Sequence, residues 1–155
     1  MAFSDPGTGR GIRDSGRGPQ PELVELVEDE TCELGDVLGY DSGWKRAIAT
    51  TGGVIQGRFI ALAHGETKYL PAGMGGIKQA GQVPVSADPV VSYKPAEGEE
   101  LTPGGYVYVA EGEGNDGQIT QTALSTGGDA NTIIGIALSA TEVLFFLNSR
   151  PDSTA

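Results

Sequence analysis

Cysteine is almost missing from this sequence. Cys32 stands alone among 155 residues, so no disulfide can close within the chain and no Cys-based zinc site can be assembled. Histidine is as scarce. His64 has no second His to share a metal with, and it follows the apolar run from Arg58 to Ala63 just before Gly65, which reads as a strand end. Basic residues are few, ten Lys and Arg against 21 Asp and Glu, for a net charge of −11. A surface of that sign repels nucleic acid and anionic membranes, so neither is expected as a partner. No apolar run approaches the ~20 residues that span a bilayer. The opening MAFSDPGTGRGIRDSGRGPQP lacks the apolar stretch of a signal peptide, and the expectation is a soluble protein used without secretion. No G-x-x-x-x-G-K-[ST] occurs, and neither Gly73-Met74-Gly75-Gly76 nor the glycines at 7 to 11 fit a phosphate-binding turn between strand and helix.

What the chain does have is glycine, 25 residues, with nine prolines. Together with short apolar runs this points to many turns and short strands. Strands are expected around Trp44–Ala49, Arg58–Ala63, Val83–Val85, Val90–Tyr93, Tyr106–Val109, Gln118–Leu124, Ile133–Leu138 and Val143–Leu147. The last two look the most buried. Turn signals recur about every 8–12 residues, the spacing of a small β-barrel or β-sandwich. Residues 22 to 41 hold eight acids and no base; their β-branched residues and glycines favour strand, with a short helix as the other possibility. Residues 22–150 are therefore expected to form one β domain, followed by a short tail at 151–155.

Charge separates off the beginning of the chain. In residues 1–21 Arg10, Arg13 and Arg17 face only Asp5 and Asp14, while the remainder holds 19 acids and seven bases. This segment of Gly, Arg, Ser and Pro has little to bury and reads as an extended arm that would need a partner surface to order it. A weak internal echo also runs through the body. Gly35-Asp36-Val37-Leu38, the turn Asp41-Ser42-Gly43, Trp44 to Ala49 and Ile60-Ala61-Leu62-Ala63 are matched by Gly105-Tyr106-Val107-Tyr108, the turn Asn115-Asp116-Gly117, Gln118 to Thr122 and Ile136-Ala137-Leu138-Ser139. A duplicated β unit would explain this; so would chance among short strands.

Three stretches invite chemistry. Glu111-Gly112-Glu113-Gly114-Asn115-Asp116-Gly117 resembles the start of a calcium loop, with oxygens at positions one, three and five. Position six is Asp116 where the template needs Gly, and position twelve is Thr122, which cannot give a bidentate carboxylate. The stretch is therefore expected to be a hairpin tip, with no metal. Asp41-Ser42-Gly43 resembles a serine nucleophile's surroundings, but Asp14-Ser15-Gly16 repeats it inside the arm and no His–acid pair accompanies it. Cys32 has Glu30 and Glu33 beside it, which should raise its thiol pKa and keep it unreactive. No catalytic residue, cofactor or metal is expected, and the chain is not expected to be an enzyme.

Given that strand pattern, the chain resembles the head decoration proteins of tailed viruses, also called capsid cement proteins. The resemblance is carried by the low-complexity arm, by Gly35-Asp36-Val37-Leu38-Gly39-Tyr40-Asp41-Ser42-Gly43-Trp44-Lys45-Arg46-Ala47, and by Ile134-Gly135-Ile136-Ala137-Leu138 followed by a terminal strand from Glu142 to Asn148. It covers about residues 30 to 148. It implies a small β protein on the outer surface of the virion, made in the host cytoplasm, with the major capsid protein as partner. It also implies homo-oligomers, a trimer being favoured, and an arm that reaches neighbours through Arg10, Arg13 and Arg17. The other reading of the residues is a carbohydrate- or calcium-binding β-sandwich of a viral fibre or spike.

Overall fold

Short runs of alternating apolar residues, cut by glycines and prolines, fold among the described residues as fourteen strands, β1 Glu22–Glu25, β2 Thr31–Cys32, β3 Val37–Tyr40, β4 Trp44–Arg46, β5 Gly57–Ala61, β6 Gly65–Glu66, β7 Lys68–Tyr69, β8 Lys78–Gln79, β9 Gln82–Ser86, β10 Val90–Ser92, β11 Tyr106–Val109, β12 Ile119–Thr120, β13 Gly135–Ala137 and β14 Glu142–Phe145. The structure, a computed structural model, describes residues 22–27, 29–69, 78–79, 81–92, 100–112 and 114–149. Among them the only helical turn is a 3-10 turn at Leu147–Ser149. The arm at 1–21, including Arg10, Arg13 and Arg17, and the tail at 151–155 lie outside the described residues. The expected all-β fold forms, and of the barrel or sandwich expected it is two packed sheets. Residues 22–25 make a strand, and the helical option for them falls away.

Two five-stranded antiparallel sheets dominate, ordered β1-β9-β5-β3-β4 and β10-β14-β13-β11-β12. Numbered along the chain within each sheet, both follow one spatial order: first, fifth, fourth, second, third. The weak sequence echo is thus a repeat of topology. Hydrogen bonds fix its register. Gly35 donates to the Ala61 carbonyl at 2.8 Å and Gly104 to the Ala137 carbonyl at 2.7 Å. The Ala61 amide returns to Asp36 at 2.8 Å, and the Ala137 amide to Gly105 at 2.9 Å. Asp36 closes a turn on the Glu33 carbonyl and Gly105 one on the Thr102 carbonyl, each at 3.1 Å. Both turns place a glycine at positive φ, Gly35 at 93° and Gly104 at 86°, where a Cβ would be strained. Gly35 therefore corresponds to Gly104, one residue earlier than the sequence echo suggests, while Ile60-Ala61-Leu62 corresponds to Ile136-Ala137-Leu138 as expected.

Each sheet has two faces with matching residues. Val37 pairs with Ile60 in the first sheet and Tyr106 with Ile136 in the second. This is termed the isoleucine face. The residues between them, Leu38, Ala61 and Val85 in the first sheet and Val107, Ala137 and Val143 in the second, make the alanine face. The main core joins Val37 and Ile60 to Val107, Ala137, Val143 and Phe145. The isoleucine face of the first sheet therefore packs on the alanine face of the second, head to tail. The alanine face of the first sheet forms a second cluster, Leu38, Ala61, Val83 and Val85 with Leu26 and Cys32. The β2–β6 ribbon lies over it: a Cβ on Gly65 would collide with Val83. Thr67 fastens this cover, its hydroxyl donating to Leu26 O at 3.0 Å and accepting from Gly81 N at 2.8 Å.

Several strands are shorter than expected. Only Ile119–Thr120 of the 118–124 run pairs, because the next side chains bond locally. The Thr120 hydroxyl accepts the Thr122 amide at 3.0 Å. The Gln121 amide group exchanges two bonds with the Thr102 backbone, at 2.7 and 3.0 Å. Such side-chain bonds compete with a ladder and turn the chain away from it.

Candidate interaction surfaces

Residues 111–112 and 114–117 of the acidic stretch lie at the tip of the hairpin made by β11 and β12, which pair Tyr108 with Thr120 and Val109 with Ile119; Glu113 lies outside the described residues. It folds as successive turns: the Asn115 amide donates to Gly112 O at 3.1 Å and the Gln118 amide to Asn115 O at 3.0 Å. The Asn115 side chain donates to Glu111 O at 2.9 Å. Glycines 112, 114 and 117 all have positive φ, 100°, 90° and 77°. Gly117 does more than turn. Buried, it accepts the Val37 amide and donates to the Ala47 carbonyl, each at 2.8 Å, so the hairpin of the second sheet is fastened to the first. The matching turn Asp41-Ser42-Gly43 joins β3 to β4, with Ser42 at φ 61° and exposed. His64 pairs with Glu33 at 2.8 Å and stands 3.9 Å from Glu66.

At the start of the hairpin tip the fold makes a carboxyl pair that no local spacing announces. The Glu111 carboxyl lies near Asp129, and interaction with that carboxyl, followed by desolvation and charge repulsion, raises the Glu111 pKa. Asp129 is held down chiefly by Thr51, whose hydroxyl and amide both donate to Asp129 Oδ1 at 2.6 Å. Asp129 is buried, and its Oδ2 has no hydrogen-bond partner. Among the described residues no group of three or more His, Cys, Asp and Glu gathers to hold a metal.

A second ionic group lies beneath Gly117. Asp36 is buried, and desolvation raises its pKa against the opposing pull of the Glu33 amide and of Arg46. Its Oδ2 accepts the Glu33 amide at 2.9 Å. The Arg46 backbone amide donates to Glu30 at 2.6 Å and its guanidinium reaches the same carboxylate at 3.4 Å. These groups seat the loop before β3 against the sandwich. Cys32 is pushed up to about 11, first by burial and then by the charge of Asp36, with Glu30 and Glu33 contributing less. The expected direction holds, but the neighbours in sequence are the minor cause.

The largest departure from the sequence reading is on the second sheet. The strands expected to be most buried, β13 and β14, bury only one face. Val90 pairs with Leu144, Leu144 with Ile136 and Ile136 with Tyr106, so these four side chains form one row across four strands. Val90 is 54 % exposed, Leu144 37 % and Tyr106 52 %, with Ile136 half-buried; Leu138, on the same face, is 47 % exposed. The alternation in Tyr106-Val107-Tyr108-Val109 is the one sequence signal that a face here is left open.

No family model matches the chain, and no curated protein matches it. Its fold and surface define an all-β sandwich in which the notable features are faces and turns.

Proposed function

We propose that this chain is a structural virion protein of a tailed virus that binds the outside of an assembled capsid and stabilises it. The observation that carries this reading is the apolar row Val90–Leu144–Ile136–Tyr106 left open on a strongly acidic protein. Contiguous apolar surface of this kind marks sites of protein contact. The resemblance to decoration proteins adds support: of the segments that carry it, Gly35 to Leu38 leads into β3 of the first sheet and Ile134 to Leu138 contains β13 of the second. The major capsid protein is the proposed partner. Arg10, Arg13 and Arg17 are the proposed contacts of the arm with acidic groups on neighbouring subunits. Many weak contacts on a lattice add through multivalency, so no single site has to be tight.

The test uses purified capsids. The full chain is expected to co-sediment with them at a fixed ratio to the shell protein. Deleting residues 2–20 is expected to weaken binding at least tenfold while leaving the thermal unfolding of the body unchanged. Equal binding by the truncated chain would remove the arm from the proposal, and no binding by the full chain would remove the function.

The carboxyl pair of Glu111 and Asp129 favours a second reading, a calcium-dependent module of a viral fibre or spike. That reading requires a rise in melting temperature with millimolar calcium, abolished by Asp129→Asn. An unchanged melting temperature removes it.

A further inference from the structure

We propose that Tyr40, Trp44 and Phe59, at the open end of the first sheet's alanine face, bind a small quaternary ammonium cation of the choline type. The strand pairings bring the rings together. Tyr40 on β3 pairs with Trp44 on β4, and Phe59 on β5 pairs with Leu38, two residues before Tyr40, so all three stand on one face. The Tyr40 and Trp44 rings lie 5.3 Å apart at 79°, and the Trp44 and Phe59 rings 5.3 Å apart at 47°. The ring faces are therefore turned in different directions. Beyond β1 the chain crosses to β4, where Leu26 bridges Trp44 and the Val27 amide donates to Trp44 O at 2.9 Å, so Trp44 is held from both sides. Trp44 and Phe59 rest on the buried cluster below them, while Tyr40 is 62 % exposed.

The repeat indicates that the fold does not need these rings. In the second sheet the corresponding positions are Val109, which pairs with Ile119 as Tyr40 does with Trp44, and Gly135, next to Ile136 as Phe59 is to Ile60. All three are buried. Two aliphatic side chains and a glycine complete that end of the second sheet. The first sheet places aromatic side chains there and leaves them partly in solvent. Rings gathered at an open position, with a polar tip on one of them, suit a ligand site.

Charge and apolarity together select the ligand. The chain carries −11, and the exposed Asp41 carboxylate follows Tyr40, its Lys45 partner 3.8 Å away. Anions are repelled from such a surface. A hard metal ion seeks several oxygen ligands, which ring faces do not supply. A neutral apolar molecule gains nothing from the field. A quaternary ammonium group gains from both: its methyl groups leave water against the rings, and its charge is drawn to the ring faces, to Trp most strongly. Two or three contacts of this modest strength place Kd on the order of 1–10 mM.

This inference does not rest on the capsid reading, so the two can fail separately. Trp44 is the only tryptophan of the chain, and its fluorescence reads the site directly. The full chain is titrated with choline chloride, and with sodium chloride at equal ionic strength. A saturable change in emission is expected with choline alone. The neutral isostere of choline, with a tert-butyl group in place of trimethylammonium, is expected to bind at least fivefold more weakly. Tyr40→Ala is expected to weaken choline binding at least fivefold without shifting thermal unfolding. Tyr106→Ala, at an exposed tyrosine of the second sheet, is expected to leave binding unchanged. If Tyr40→Ala does alter unfolding, Tyr40→Leu, which keeps apolar bulk and removes the ring, reads the same contact. No saturable response to choline up to about 100 mM overturns the proposal. Equal binding of the neutral isostere overturns the cationic ligand, and unchanged affinity in the Tyr40 variants overturns the site.

Discussion

The two sheets are built alike and used differently. They share strand order, turn glycines and the Ile-Ala-Leu segment, yet Ile60 is fully buried while its counterpart Ile136 is only half-buried. The first sheet lies between two layers, its own ribbon cover and the second sheet. The second sheet has a core on one face only. Ile60 itself is covered by the second sheet, and connection lengths account for the first sheet's other layer. Between β5 and β9 the chain makes the β6 strand and the β7–β8 pair, whereas β13 reaches β14 through a short turn that cannot cover anything. A repeated topology therefore fixes which residues share a face, and the connections decide which faces meet water.

The largest effect should come from truncating this corresponding pair. Ile60→Ala removes a fully buried side chain and is expected to cost about 3 kcal/mol in urea unfolding; Ile136→Ala should cost less than about 1 kcal/mol. Similar costs for the two would mean that the second sheet's outer face is covered after all, and the contrast between the sheets would disappear.

The turn glycines test the likeness. Gly35→Ala and Gly104→Ala each force a Cβ into positive φ, at 93° and 86°, and each is expected to cost about 1–2 kcal/mol. A Cβ on Gly104 meets nothing within 4 Å, so its cost is backbone strain alone. Costs that differ by more than about 1 kcal/mol would show that the two turns are not equivalent in energy, whatever their hydrogen bonds.

How much of this the sequence discloses depends on the range of the interaction. Tyr106–Val109 alternates so regularly that its strand is read off residue by residue, and the Asn115-Asp116-Gly117 and Asp41-Ser42-Gly43 turns follow from local φ preferences. The echo between halves was visible in pattern, but its register was misplaced by one residue because glycine recurs at both 104 and 105. Long-range placements were out of reach. Glu111 and Asp129 are brought together by two loops, and Gly117 meets Val37 across a span of 80 residues. The open face was hidden for a related reason. Apolar residues at Leu138 and Leu144 look the same in sequence whether their face is covered or bare, because cover depends on a connection elsewhere in the chain.

The cover itself can be probed through Cys32. Its thiol is buried and pushed up to about 11, so little thiolate exists at pH 8. Alkylation by iodoacetamide at that pH is expected to be at least a hundredfold slower than for an unfolded chain, and to follow opening of the β2–β6 ribbon. Fast labelling of the folded protein would mean that the first sheet's alanine face is as accessible as the second sheet's outer face.

Asp36 gives the smallest effect and the finest distinction, since its counterpart in the second sheet is Gly105, which cannot titrate. Burial raises the Asp36 pKa, so the folded state binds this proton more tightly than the unfolded state does. The protonated form's advantage is complete below the unfolded carboxyl pKa and is lost as pH rises through the raised folded value. Burying the charge therefore makes a small unfavourable contribution at neutral pH, offset in part by the Glu33 amide and Arg46. Asp36→Asn keeps an oxygen to accept the Glu33 amide and removes the charge. Its stability at pH 7 is expected to lie within about 1 kcal/mol of wild type. Between pH 4 and 7 the difference in urea midpoint, variant minus wild type, is expected to shift in the variant's favour as pH rises. A difference that moves the other way would mean that attraction to Arg46 outweighs desolvation, making the site before β3 an ion pair the second sheet simply does without.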